Sequence, residues 1–184
     1  RIQLNEAQKT VWTKGDQASV FYFSDANQLW QYNGETGSRT ANLKRVNAGE
    51  PTAQTTYNVV AYPFNEDYFL NTRTGALHAT LPATQHYKDH SYGLNTNAML
   101  GTSSDGKNYQ FINLMGYLRL SLTGNKVVKS ITLESNNGET IAAKVHVYKN
   151  GMILPKDLKS TSITLDCGDG VQLTDVPTEF YFTI

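Results

Sequence analysis

Apolar and polar side chains alternate one by one along several segments of the chain, most clearly at 116–122. There Leu118, Leu120 and Leu122 alternate with Arg119 and Ser121. Because successive side chains of a β-strand point to opposite faces of a sheet, this period of two predicts a strand with one solvated face. The same pattern, weaker in places, predicts further strands at 18–23, 29–32, 57–64, 76–81, 109–114, 127–133, 141–147 and 178–184.

Turn-forming dipeptides separate the predicted strands, and we find no stretch with helical periodicity long enough to join parallel strands. Asn137-Gly138 is the strongest of these turn signals and predicts a hairpin between 127–133 and 141–147. The segment 84–97 has no clear period and is predicted to be a long ordered loop. The sequence thus predicts an all-β, antiparallel β-sandwich with short helices at most, forming a single domain over 1–184.

Charge and cysteine content narrow the classes of partner. The chain has 16 basic and 16 acidic side chains, so it lacks the basic excess that typifies nucleic-acid binding or a polybasic membrane contact. Cys167 is the single cysteine and cannot form an intramolecular disulfide. We therefore expect no nucleic-acid partner, and we interpret Cys167 as a small buried side chain.

Motifs of the common catalytic classes do not occur in the sequence: there is no Gly-x-Ser-x-Gly, no phosphate-binding glycine loop and no His-Glu-x-x-His. We expect a protein that is not an enzyme and has no cofactor and no metal. His86 and His90 have the i,i+4 spacing of two zinc ligands on a helix, but a loop is predicted there, which favours solvated side chains. His78 and His146 lie in predicted strands and are interpreted as part of an exposed face.

The aromatic side chains are the more informative group, since the chain contains 11 Tyr and 2 Trp. Rings that stack on sugars, with amides supplying hydrogen bonds, are typical of carbohydrate sites. The long loop carries such residues, and they form a candidate glycan contact: Tyr87, Tyr92, Asn95 and Asn97. The alternative is that these tyrosines pack their rings inside the fold, as Tyr commonly does in β proteins.

Several motifs occur in one consistent order along nearly the whole chain. They are Trp-Thr-Lys-Gly-Asp at 12–16 before Val-Phe-Tyr at 20–22, Val-Ala-Tyr-Pro-Phe at 60–64, Leu-Pro-Ala-Thr-Gln at 81–85 before Tyr-Gly at 92–93, and the segments 111–120, 128–133, 136–139 and 163–168. In this order they resemble the fimbrillin-like surface proteins of Bacteroidales, which include type V pilus subunits and their anchors.

The resemblance implies a transthyretin-like, Greek-key sandwich. It also implies a lipoprotein precursor, attached to the membrane only by its lipid, which is trimmed after Arg or Lys. Members usually carry a second sandwich domain, so the chain is expected to be the N-terminal domain of a two-domain protein. They act in cell adhesion at the outer membrane or in the fimbrium. Their partners are other pilus subunits or copies of themselves, joined by donor strand exchange, and host proteins or glycans.

The last predicted strand supplies the candidate residues for contact with a partner strand. Phe180, Phe182 and Ile184 lie on one face of it. Their alternative role is packing in the core of the chain itself. The function predicted from the sequence is therefore a non-enzymatic pilus-type subunit or accessory component, and the alternative is a surface carbohydrate-binding β-sandwich module.

Overall fold

The part of the chain that the structure describes is built from β-strands. A computed structural model describes residues 2–22, 26–46 and 57–184, and this part of the chain contains strands and no helix, so it has no helix that could span a membrane. The prediction of an all-β protein is confirmed. The strands are β1 (Gln3–Leu4), β2 (Thr10–Val11), β3 (Gln17–Phe21), β4 (Gln28–Tyr32), β5 (Leu43–Arg45), β6 (Val59–Tyr62), β7 (Phe69–Leu70), β8 (Leu77–Leu81), β9 (Thr84–His86), β10 (Met99–Thr102), β11 (Gln110–Asn113), β12 (Tyr117–Leu122), β13 (Val127–Glu134), β14 (Ala142–Val147), β15 (Ile153–Ser160), β16 (Ser162–Gln172) and β17 (Thr178–Thr183).

Each segment in which alternation predicts a strand contains an observed strand, shortened or shifted by a few residues at its ends. Phe23, at the end of the first of them, lies outside the described residues. Two long strands, β15 and β16, were not predicted from the sequence. In β15 the alternation is hidden because most of its side chains are exposed on both faces.

Two large sheets enclose the first part of the core, and we call this pair the first sandwich. Sheet 1 has the strand order β11-β10-β6-β3-β4-β5, and sheet 2 has the order β15-β14-β8-β7. Apolar side chains from both sheets form one buried cluster, in which Phe21 and Ala61 of sheet 1 meet Leu77 and Val145 of sheet 2. The opposite face of sheet 1 is covered by the N-terminal hairpin β1–β2, which adds Ile2 and Leu4 to a second, aromatic-rich cluster.

Two smaller sheets enclose a separate core, and we call them the second sandwich. Sheet 3 has the order β13-β16-β9, in which β9 is parallel to β16, and sheet 4 is the antiparallel pair β12–β17. Side chains from both sheets pack together around Ile163, Leu165, Phe180 and Phe182, which are all fully buried. Strand β14 joins the two cores, because neighbouring Ala142 and Ala143 belong to different clusters.

The predicted hairpin at Asn137-Gly138 is wrong. Strand β13 pairs with β16 in sheet 3, whereas β14 pairs with β8 and β15 in sheet 2. The turn itself forms, since Gly138 has a φ of 79° and Ser135 Oγ accepts a hydrogen bond from Glu139 N–H. This turn leads the chain from β13 in the second sandwich to β14 in the first. Asn137-Gly138 therefore predicts the local turn correctly, but not which strands pair.

Candidate functional site

The second sandwich is closed along one side and open along the other. On the closed side, the buried side chain of Gln85 bonds both main-chain groups of Thr183: its Nε2 donates to Thr183 O at 2.7 Å and its Oε1 accepts from Thr183 N–H at 2.9 Å. Gln85 therefore covers the edge of β17 as a neighbouring strand would. Within the described residues, no strand or side chain does the same for β12 on the opposite side.

Strands β12 and β13 border the open side together. They follow one another in the chain and lie at the edges of sheet 4 and sheet 3. The turn between them is hydrogen-bonded to the segment that joins β16 to β17. Gly124 N–H donates to Thr174 O at 3.0 Å, and Leu173 N–H donates to Lys126 O at 2.9 Å. Both free edges therefore lie on the same side of the second sandwich.

Apolar side chains line this opening. Ile163 and Leu165 of β16 and Phe180 and Phe182 of β17 are fully buried, whereas the side chains of β12 and β13 that point to the same core are only half-buried. We call this strip of half-buried side chains the open seam, and it consists of Leu118, Leu120, Leu122, Val128, Ile131 and Leu133. Completing their burial would contribute about 25 cal/mol for each Å² of apolar surface removed from water, which favours an added strand.

The edge of β12 is regular, in contrast to that of β15. Strand β12 pairs with β17 over six consecutive positions without a register shift. Strand β15 contains Pro155 and Lys156, its pairing with β14 shifts register twice, and Leu158 has a φ of 49°. Proline, lysine and bulges are the features by which edge strands avoid pairing with other chains. Edge β15 is therefore protected, whereas β12 keeps the geometry that a further strand requires.

Two of the three residues predicted to contact a partner strand are placed in the core instead. Phe180 and Phe182 are 0% exposed, and each lies directly beside a leucine of β12 as its cross-strand neighbour. Ile184 is 44% exposed and exchanges main-chain hydrogen bonds with Gly116. Phe180 and Phe182 thus pack in the core of the chain itself, which is the alternative role given for them above. The apolar side chains that remain partly accessible belong to the neighbouring strand, β12.

Two of the four predicted glycan residues, Tyr92 and Asn97, are buried. Tyr92 is 1% exposed, and Asn97 donates from Nδ2 to the Tyr92 hydroxyl at 3.3 Å and to Asn113 Oδ1 at 3.0 Å. Burial raises the pKa of Tyr92 and keeps its phenol neutral. The ring of Tyr92 is therefore closed to a sugar in this structure, and the predicted glycan contact stays a prediction.

The other two predicted glycan residues, Tyr87 and Asn95, are more exposed than this buried pair. Tyr87 is half-buried, with its ring centroid 5.3 Å from that of Phe180, and its hydroxyl donates to Asp89 Oδ1. Burial and the Asp89 carboxylate raise its pKa to about 12. Asn95 is exposed in a turn with a φ of 62°. The four residues do not form one continuous exposed surface.

Gly93 allows this loop to pack closely, and its replacement gives a first prediction. A Cβ at this position would lie 2.1 Å from His86 O, which is a clash with main chain. We expect Gly93→Ala to lower the free energy of unfolding by about 1–3 kcal/mol, as overpacking typically does. Urea denaturation measures this. The control is Gly116→Ala, whose Cβ would meet its nearest atom at 3.8 Å; equal effects of the two variants would contradict the prediction.

The two histidines of the loop do not converge on one point. His86 Nδ1 lies 3.5 Å from Asp166 Oδ2, and His90 Nε2 lies 3.5 Å from Asp89 Oδ2. Both side chains are exposed. The described residues contain no group of three or more His, Cys, Asp or Glu side chains placed to hold a metal ion.

The sequence predicts which side chains of the open seam face a core, but not that they lie on edge strands. The alternation of Leu118, Leu120 and Leu122 predicts which side chains face a core, but an edge differs from a central strand only in its neighbours. The neighbour of β12 is β17, about 60 residues further along the chain. No pattern within β12 itself can therefore indicate which strand it pairs with. No family model matches the chain, and neither a curated protein nor a solved structure gives a match.

Proposed function

We propose that this protein is a non-enzymatic, pilus-type subunit or accessory component at the bacterial cell surface, which associates with its partners by strand exchange at the open seam. One observation carries the proposal: β12 is a regular edge that no other strand of residues 2–22, 26–46 and 57–184 pairs with on its outer side, and its core-facing leucines are only half-buried. The ordered motifs that resemble fimbrillin-like proteins support the same function. The transthyretin-like topology and the trimmed, lipid-anchored precursor in the outer membrane are parts of this proposal.

The chemistry of the association follows from the edge. An extended segment of another subunit would bond to the free N–H and C=O groups of β12. Its alternate apolar side chains would cover Leu118, Leu120 and Leu122 and bury the seam. Because many main-chain bonds and buried contacts must break together, the joined subunits should resist detergent until they are heated.

The test is a comparison of two lysine variants on neighbouring residues of β12. Leu120→Lys places a charge in the seam, whereas Ser121→Lys places the same charge on the opposite face of the strand, where Ser121 is exposed. Material sheared from the source cells is run on gels with and without boiling. We expect the wild-type protein and Ser121→Lys to give a ladder that collapses on boiling, and Leu120→Lys to give only monomer.

A second measurement covers the case in which Leu120→Lys fails to fold. In a Cys167→Ser background, Leu120→Cys should react with a maleimide in the monomer and be protected in the polymer, while Ser121→Cys should react in both. A polymer in which Leu120→Cys stays reactive, or a ladder that persists in Leu120→Lys, would overturn the proposed site. A wild-type monomer in both lanes would overturn strand exchange and direct work to the carbohydrate-binding alternative.

A further inference from the structure

A row of ring side chains crosses the outer face of sheet 2. His146 of β14 lies directly opposite His78 of β8, and His78 lies directly opposite Phe69 of β7. On the other side, His146 pairs with Leu154 of β15. Directly opposed residues on neighbouring strands point to the same face of a sheet. Four strands therefore bring these side chains into one line, although they are far apart in sequence.

The three rings are in close contact. The ring centroids of His78 and His146 are 3.8 Å apart with an angle of 41° between the planes, and Phe69 lies 3.9 Å from His78 on the other side. The planes are tilted, so the two imidazoles converge at one end. The Nε2 atom of His78 is buried and has no hydrogen-bond partner, which is unusual for a buried polar atom in a folded protein.

A shallow cavity of about 240 Å³ opens beside the two imidazoles. Its remaining lining is mostly polar and charged, with both signs present: Asp67, Thr80, Lys144, Lys156 and Asp157. The cavity leaves space for a small ion together with the water molecules that complete its coordination.

We propose that His78 and His146 form a binding site for a divalent transition-metal ion. Imidazole nitrogen is a preferred ligand of Cu²⁺, Ni²⁺ and Zn²⁺, and it binds Zn²⁺ at about 2.0–2.1 Å. The Cβ atoms of directly opposed residues lie about 4.5–5.5 Å apart, so rotation of both rings about χ2 brings two nitrogens to one ion. Water fills the remaining positions, because no third protein ligand joins the pair within the described residues.

The protonation state suits this role. Burial, and then the neighbouring His146, lower the pKa of His78 below its ordinary value of about 6.5. The ring is neutral at pH 7, and neutral imidazole is the form that binds a metal. The Irving–Williams order places Cu²⁺ first among the divalent ions, so we expect Cu²⁺ to bind more tightly than Zn²⁺.

The four histidines of the chain provide a matched experiment. The 184-residue chain is titrated with CuCl₂ and with ZnSO₄ by calorimetry at pH 7.4, as the wild type, as His78→Gln, as His146→Gln and as the double variant His86→Gln with His90→Gln. We expect saturable binding of one equivalent to the wild type and to the double variant, with a loss of at least tenfold in affinity in either single variant. Equal affinity in all four proteins, or loss in the double variant alone, would overturn the proposal.

A measurement on the wild-type chain makes the result independent of folding in the variants. In NMR spectra of the histidine rings, added Zn²⁺ should shift the signals of His78 and His146 and leave those of His86 and His90 in place. If the signals of His78 and His146 do not move at saturating Zn²⁺, the site does not exist. This outcome would leave the proposed strand exchange untouched, because the open seam lies in the other sandwich.

Discussion

Replacing Phe182 with alanine is expected to lower the free energy of unfolding by about 3–5 kcal/mol, the range that is typical of a buried phenylalanine. Phe182 is 0% exposed and lies between the two sheets of the second sandwich, beside Leu118 of the neighbouring strand. Truncation removes the ring's buried contacts and leaves a cavity between the two sheets, and both effects lower the stability. Urea denaturation followed by circular dichroism measures the change.

The matched control for this variant is Ile184→Ala on the same segment. Ile184 is 44% exposed, and its bonds to Gly116 involve main-chain atoms that alanine keeps. We expect a change within about 0.5 kcal/mol, as at other exposed positions. If Phe182→Ala instead kept its full stability and lost only its ability to assemble, Phe182 would be a partner contact, as the sequence first suggested.

Local periodicity predicted the strands well because alternation depends only on neighbours in sequence. Strand pairing depends on distant segments and could not be predicted in the same way. The turn at Asn137-Gly138 shows the limit: its residues favour a tight bend, but β13 gains more from pairing with β16, and β14 from pairing with β8. Which partner a strand takes is decided by the apolar surface that its face buries, and a turn motif carries no information on that surface.

The candidate sites follow the same rule. The sequence indicates Tyr87 and Tyr92 as ring side chains on a loop. Tyr92 is nevertheless buried, because the loop packs against the N-terminal hairpin, where Leu4 N–H donates to Ser91 Oγ at 3.0 Å. The close pair His78 and His146 was interpreted only as an exposed face, since 68 positions separate the two residues in the chain. Contacts between distant parts of the chain decide both outcomes: loop packing buries Tyr92, and the pairing of β8 with β14 brings His78 and His146 together.

The second large effect is expected from Asp16→Ala. Asp16 is 0% exposed, its Oδ2 accepts from Thr13 N–H at 2.7 Å, and its Oδ1 accepts from the Tyr62 hydroxyl at 3.0 Å. The same hydroxyl accepts from Ile2 N–H at 2.8 Å. A hydrogen bond to a charged group contributes about 1.5–3 kcal/mol, and alanine would leave buried donors without this acceptor, so we expect a loss of about 3 kcal/mol in the free energy of unfolding.

Two control variants separate this network from a general effect of charge. Tyr62→Phe removes the bond to Asp16 and the acceptor of Ile2 N–H but keeps the bond from Thr13 to the Asp16 carboxylate, so its loss should be smaller than that of Asp16→Ala. Asp175→Ala removes an exposed carboxylate and should change the stability by no more than about 0.5 kcal/mol. Equal stability of Asp16→Ala and Asp175→Ala in urea denaturation would contradict the prediction.

The Asp16 carboxylate also holds the N-terminal hairpin on sheet 1, because it accepts from the Tyr62 hydroxyl, which in turn accepts from Ile2 N–H. In Asp16→Ala we therefore expect the rate of amide hydrogen exchange to rise first in this hairpin.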